Sequence, residues 1–468
     1  MERSRRILFA TFTILLAAHA SLARPPATLQ ADVAKILSRP SLRCAHVGVM
    51  VMSLPSGDVW FSSNPDRLFV PASNAKLFIA AALGRLGPDF RYETAVLAER
   101  EPQDGVLRGD LFLKGSGDPT LTFLHLAGLA ERLRKKGLSH ITGRVVGDES
   151  AFDSVRFGRG WMLEDLPWYY APEISALSLN GNSVMVVVRP GPVPGVPPRV
   201  TISPPTSYLR IENQAMTQSG QLAMPIVIDR PFGLPLVAVH GGIRPGSRPA
   251  YQRVSVPDPA LWAAHVFRER LLASGVRIDG EAAVGIASAD MVALADHGSP
   301  PLYEIIGTML KNSDNHMAEQ LLKMLGGTAE HSLAAVDRFL RKAGVTSTCP
   351  PNIADGSGLS RYNLASPRHF AALLRFMDRH PHRSVWLEAL PMPGIRAALN
   401  GRMMVAAGAG TVYAKTGTMF AVSALSGYAS TRSGRRVCFS ILVNNFVAPT
   451  AEIRQAQDDI VAAIARAR

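Results

Sequence analysis

The sequence predicts an α+β protein whose main sheet is assembled from both ends of the chain and interrupted by a long, mainly β insertion. Two strand-like runs lie early, Val47–Met52 and Val59–Ser62, and three lie late, Thr411–Thr418, Val422–Ala429 and Val437–Asn444. Helical stretches fall between and after them, which is the pattern of an α+β layer architecture. Between about Tyr92 and Tyr251 the texture changes to β-type runs broken by Gly/Pro-rich stretches such as Pro190–Pro198.

The elements follow in order. Arg3, Arg5 and Arg6 precede an apolar run, Ile7–Ala18, and a small-x-small site at Ser21-Leu22-Ala23, so residues 1–23 read as a cleaved signal peptide. The 12-residue apolar run is too short to span a bilayer comfortably, and no stable membrane span is expected after cleavage. A turn at Pro55–Asp58 joins the first two strands. A helix is expected from about Asn74 to Leu86, closed by Gly87-Pro88. Its run Leu77–Leu83 is apolar on every side, which marks a buried helix. Gly115-Ser116-Gly117-Asp118-Pro119 lacks the Lys-Ser/Thr of a phosphate loop and reads as a turn. Helical periodicity returns at Pro259–Leu272, and a final helix covers about Ala451–Ala465. The expected divisions are 24–95 and 258–468 for one domain in two segments, with 96–257 inserted.

Composition narrows the class. The chain has 468 residues, 47% hydrophobic and 19% charged, and so can bury a large core. Removing residues 1–23 takes away three Arg and one Glu and lowers the net charge from +13 to +11. That excess suits anionic polymers or lipid headgroups, or simply a soluble surface. No Lys/Arg run is dense enough to indicate nucleic acid. With three cysteines in an exported chain, at least one thiol is unpaired. Cys44 and Cys438 lie in apolar strand-like runs and are expected to be buried. No Cys/His cluster has zinc spacing, and His316 with Glu319 lacks a second histidine, so neither metal nor cofactor is expected.

Three polar motifs carry the chemistry: Ser73-Asn74-Ala75-Lys76, Ser313-Asp314-Asn315 and Lys415-Thr416-Gly417. Ser73 and Lys76 share one helix face. A serine hydroxyl needs a base, and a lysine serves only when burial lowers its proton affinity. Alone, the pair also reads as a capping serine and a solvated lysine. The second motif interrupts an apolar helical context. There Ser313 can pass a proton to a leaving amine, Asn315 can hold an amide, and Asp314 fixes the loop; the same triplet also suits a helix cap. Lys415, on a strand, offers a positive site for a carboxylate, and Thr416 or Thr418 can donate to it. Gly417 removes a side chain so that substrate can lie along the strand edge. The N–H groups of Thr418 and Ser73 are expected to form an oxyanion hole. The plain alternative is an edge strand with a protective lysine.

Together, in this order, the motifs form the signature of serine acyl-transfer enzymes of the penicillin-binding and class A β-lactamase kind. The chain resembles the D-alanyl-D-alanine carboxypeptidase/endopeptidases of the penicillin-binding protein 4 (DacB) type from about Ala31 onward. Further matching stretches are Gly117–Leu121, Ser175–Asn180, Asp355–Arg361 and Ser423–Tyr428. The resemblance implies a penicillin-binding/β-lactamase-like transpeptidase domain, periplasmic location, cleavage of peptidoglycan stem peptides and acylation by β-lactams. It implies Ser73 as nucleophile, Lys76 as base, Ser313 and Asn315 as relay and substrate-holding groups, and Lys415, Thr416 and Thr418 at the substrate carboxylate. The family usually carries Asp-Gly-Thr-Leu before the third motif, where this chain has Gly394-Ile395-Arg396-Ala397-Ala398-Leu399; Gly181 and Ala421 are smaller departures. A β-lactamase or esterase on the same scaffold, and a wall-binding scaffold with an acylable serine, are the competing functions. The 240 residues between the first two motifs, against 102 between the second and third, oppose the lactamase.

Overall fold

The computed structural model describes residues 27–220, 224–394, 399, 402–403 and 411–467. The expected signal peptide and most of the Gly394–Leu399 stretch lie outside them.

The main sheet has five antiparallel strands in the order Val412–Met419, Val422–Ser430, Arg436–Asn444, His46–Ser53, Val59–Ser63. Early and late segments meet where His46–Ser53 pairs along its whole length with Arg436–Asn444. Alternation along a strand sends successive side chains to opposite faces. Val49, Val51, Phe439 and Ile441 accordingly join a core with the helices Ala27–Leu37 and Thr450–Arg466. Met50, Cys438 and Leu442 face the other way, toward Leu310, Leu321, Phe370 and Trp386 of the helices between residues 302 and 389. Among the described residues no helix is long and apolar enough to cross a membrane.

A second layer surrounds a mixed sheet in the order Ala282–Val284, Val145–Asp148, Leu111–Gly115, Glu93–Ala98, Val292–Gly298. Helices Phe123–Lys135 and Pro259–Ala273 fill its core with Leu126, Leu129, Trp262 and Phe267. Smaller sheets built between residues 183 and 255 extend it. The expected boundary at 257 is therefore misplaced. The returning helical pattern at Pro259 packs on Val145–Asp148 and belongs to this layer, which runs to Gly298. The helix was read as a return to the first domain because periodicity reports a buried face, not the partner it meets.

Two further expectations change. The segment expected to be one helix from Asn74 is a 3-10 helix, Ala72–Ile79, followed by an α-helix, Ala80–Leu86. Cys44 sits in the turn ahead of its strand and is exposed, as is Cys349, whereas Cys438 is buried; all three thiols are free.

Candidate active site

The first motif is shaped by two close approaches of backbone to backbone. A β-carbon on Gly358 would lie 1.9 Å from the Ala72 carbonyl oxygen, and one on Gly417 would lie 2.7 Å from that of Pro71. Only glycine admits such contacts. Pressed from both sides, Ala72 adopts φ 47°, a left-handed conformation that costs energy and is characteristic of functional sites. The 3-10 geometry that follows eclipses residues three apart, and Lys76 Nζ lies 3.1 Å from Ser73 Oγ. The bare face of Gly417 is thus turned to the Pro71–Asn74 backbone. The expectation that it clears room for substrate gives way to one of packing, although its strand does form the free edge of the sheet.

Lys76 is fully buried. Besides Ser73, its Nζ donates to Asn315 Oδ1 at 2.6 Å and to the Ser357 carbonyl at 2.5 Å. Burial lowers the ammonium to about 8, against the opposing pull of Asp355, Glu319 and Asp314. Three acceptors thus surround the Lys76 nitrogen: Ser73 Oγ, Asn315 Oδ1 and the Ser357 carbonyl.

The second motif joins two helices. Helix Leu302–Asn312 ends at Ser313, which adopts φ 56°, and Asp314 caps the next helix, Asn315–Met324, by accepting from Met317 N at 2.8 Å. Asp314 is therefore the helix cap, and Ser313 and Asn315 line the cleft. Ser313 Oγ accepts from Lys415 Nζ at 2.9 Å. Lys415 is also fully buried and donates to the Thr416 carbonyl at 2.8 Å; burial, with Lys76 nearby, drives its ammonium well below the ordinary lysine value. Asn74 Nδ2 ties the first motif to the third by donating to the Lys415 carbonyl at 3.0 Å.

Ser73, Ser313, Asn315 and Thr418 line one cleft of about 650 Å³, together with Tyr169, Tyr170, Arg361 and Phe420. Thr416 and Gly417 lie on the strand that carries Thr418. Three contributors were not anticipated. The Tyr170 carbonyl accepts from Asn315 Nδ2 at 2.8 Å, which turns Oδ1 toward Lys76. Arg454 Nη2 donates to Thr418 Oγ1 at 3.2 Å. The Ser357 carbonyl belongs to a loop that Asp355 holds by accepting from Gly358 N, Ser360 N and Trp161 Nε1 at 2.7–2.9 Å. The Gly-rich stretch Asp355–Arg361 was the available signal for that loop. Carbonyl contacts such as those of Tyr170 and Ser357 leave none, because any residue can supply them.

His316 and Glu319 are both buried within hydrogen-bond networks, and no metal-holding group occurs among the described residues. His316 contacts Ser178 Oγ at 3.1 Å and Gln320 Nε2 donates to the Ser175 carbonyl at 2.7 Å, so Ser175–Asn180 braces the back of the second motif.

The fold is shared with a crystal structure of penicillin-binding protein 4 (dacB) from Haemophilus influenzae, with TM-score 0.80 and 24% identity, covering 92% of this chain and 97% of that one. A predatory peptidoglycan endopeptidase from Bdellovibrio bacteriovorus aligns more loosely, with TM-score 0.54 and 15% identity, covering 90% and 93%. In sequence, a D-alanyl-D-alanine carboxypeptidase from Actinomadura sp. is 36% identical over 442 residues, covering 90% of this chain and 82% of that one. The DacB carboxypeptidase from Haemophilus influenzae is 26% identical and covers 86% of each. The family model of D-Ala-D-Ala carboxypeptidase 3 (S13) matches residues 29–467. Motif order, cleft geometry and overall match agree, and the chain belongs to the D-Ala-D-Ala carboxypeptidase 3 (S13) family.

Proposed function

We propose that this protein is a serine-type DD-peptidase that cleaves peptidoglycan stem peptides through an acyl-enzyme on Ser73, and that β-lactams acylate the same oxygen. The observation that carries this reading is the Lys76 ammonium, buried and lowered to about 8, at 3.1 Å from Ser73 Oγ. Family membership and relatives called D-alanyl-D-alanine carboxypeptidase support it.

In the reaction, neutral Lys76 takes the Ser73 proton as Oγ attacks the carbonyl carbon of the scissile peptide bond. The developing oxyanion is received by the N–H groups of Ser73 and Thr418. Collapse breaks the C–N bond, and the proton held by Lys76 reaches the departing amine through the Ser313 hydroxyl. Water then attacks the ester, Lys76 takes its proton, and Ser73 recovers its own on release. Asn315 holds the substrate amide. Thr416 and Thr418, with Lys415 and Arg454 behind them, receive the substrate carboxylate. The pattern in residues 1–23 supports export to the periplasm, where this substrate lies.

The test is incubation of purified protein with defined muropeptides and identification of the products by mass. Released D-Ala marks carboxypeptidase action, and monomers from cross-linked dimers mark endopeptidase action. Neither product, together with rapid turnover of penicillin, would replace this reading with a β-lactamase.

A further inference from the structure

Helix Asn315–Met324 reaches Lys76 twice. Asn315 does so directly, through Oδ1. One turn later, on the same face, Glu319 does so through a neighbour's backbone. Its carboxylate, only 2% exposed, accepts from Gly356 N at 3.1 and 3.2 Å and from Ser357 N at 2.8 Å. The carbonyl of that same Ser357 is the one that receives Lys76 Nζ at 2.5 Å. No salt bridge occupies Glu319 among the described residues. Lys323, one turn further along the helix, gives its ammonium to Asp153 instead. The carboxylate is therefore a buried anion held by backbone N–H groups and facing a buried lysine.

The surroundings explain why an anion is placed there. Two lysines, Lys76 and Lys415, are buried near one another, and Lys76 opposes a charge on Lys415. The anions acting on Lys76 are Asp355 on the loop, Glu319 on the helix and Asp314 at the helix cap. Asp355 is engaged by its own loop and Asp314 by its cap, whereas Glu319 holds the very residue whose carbonyl meets Lys76. A glutamine at 319 would offer one acceptor oxygen and set an N–H against the N–H of Gly356.

We infer that Glu319 is a positioning residue for the general base: it clamps the Ser357 carbonyl onto Lys76 and supplies the countercharge that sets when Lys76 gives up its proton. Burial, with Asp355 nearby, pushes the Glu319 carboxyl up, and burial pushes the Lys76 ammonium down against the pull of Asp355, Glu319 and Asp314. This inference rests on the acyl-transfer reading of Ser73 and Lys76.

The experiment measures acylation of the full chain by a fluorescent penicillin across a pH series. It compares wild type, Glu319→Gln and Glu319→Asp, with thermal unfolding followed on the same samples. In Glu319→Gln the ascending limb moves about one unit toward lower pH, because a lysine without its anion loses the proton more readily. The maximal rate falls about tenfold as an N–H set against Gly356 loosens the clamp on the Ser357 carbonyl. Glu319→Asp keeps the charge but shortens the reach, so the limb stays in place while the maximal rate falls. A limb at the wild-type position in Glu319→Gln, whatever happens to the melting temperature, overturns the inference. A wild-type rate in Glu319→Asp does so as well, and that variant decides the matter if Glu319→Gln does not fold. A wild-type protein that is never labelled at Ser73 defeats the acyl-transfer reading itself, and is told apart by that.

Discussion

Gly417→Ala tests the contact between the third motif and the first. The added methyl would meet Pro71 O at 2.7 Å, Ser73 N at 3.0 Å and Asn74 N at 3.1 Å. All three are backbone atoms, so no side chain can turn aside. To restore contacts of 3.0–3.4 Å, the segment carrying the nucleophile must retreat from the strand by roughly 0.3–0.7 Å. Misplacement by about 1 Å costs on the order of a hundredfold in rate, so about half that shift should slow acylation roughly tenfold, or about 1.4 kcal/mol. Overpacking of a tight contact should also lower stability by about 1–3 kcal/mol. The assay is the second-order rate of acylation by a fluorescent penicillin, with unfolding measured in denaturant. A variant with wild-type rate and wild-type stability would show that strand and nucleophile segment do not touch in this way.

Acylation of the wild type should rise with pH through about 8, because only the neutral form of Lys76 can accept the Ser73 proton; a rate flat from pH 6 to 10 would remove Lys76 as base. Ser73→Ala should abolish labelling while leaving the melting temperature within about a degree or two, since it removes one partly exposed hydroxyl; residual labelling would relocate the nucleophile. Trp161→Phe should cost about 1.5–3 kcal/mol by withdrawing a donor from buried Asp355, and should slow acylation, which couples the inserted layer to the base; unchanged kinetics would confine Trp161 to stability. Asp118→Asn should raise stability at neutral pH. Burial raises the Asp118 carboxyl, and its Oδ2 has no partner, whereas Oδ1 accepts from Thr120, as an asparagine oxygen can. A raised carboxyl favours the fold below its unfolded value and loses that contribution as pH climbs through the folded one. The gain should therefore vanish in acid, and a gain that persists there would contradict the burial argument.

The chemistry was legible in the sequence where it depends on side-chain identity. The three motifs announced themselves because serine, lysine and asparagine are uncommon amid apolar helices and strands, and the third fell within a strand-like run near the end of the chain. Gly417 and Gly358 were visible as glycines, but the backbone pressing on each was not. The first motif was expected on an α-helix because apolar Leu77–Leu83 satisfies that pattern. Tertiary contact at Ala72 and Gly358 instead winds its start into a 3-10 turn. Lys415 read as a positive site for a carboxylate, and its burial beside Ser313 emerges only when the second motif is folded over it. The contributions of Tyr170 and Ser357 come from carbonyl oxygens, which no residue type encodes. Glu319 was considered as half of a metal pair, because spacing along a helix does not show which loop lies opposite.

The interleaving of the chain's two ends has a consequence for how the protein comes into being. His46–Ser53 can complete its pairing only with Arg436–Asn444, and the nucleophile's segment is pressed into shape by Val412–Met419. Contacts so distant along the chain form late, after the closure entropy of the intervening stretch has been overcome. A nascent or truncated polypeptide thus carries Ser73 and Lys76 long before it carries the strand that shapes their segment. Completion of the last strands works as a built-in maturation step, and catalysis waits until synthesis and folding have finished.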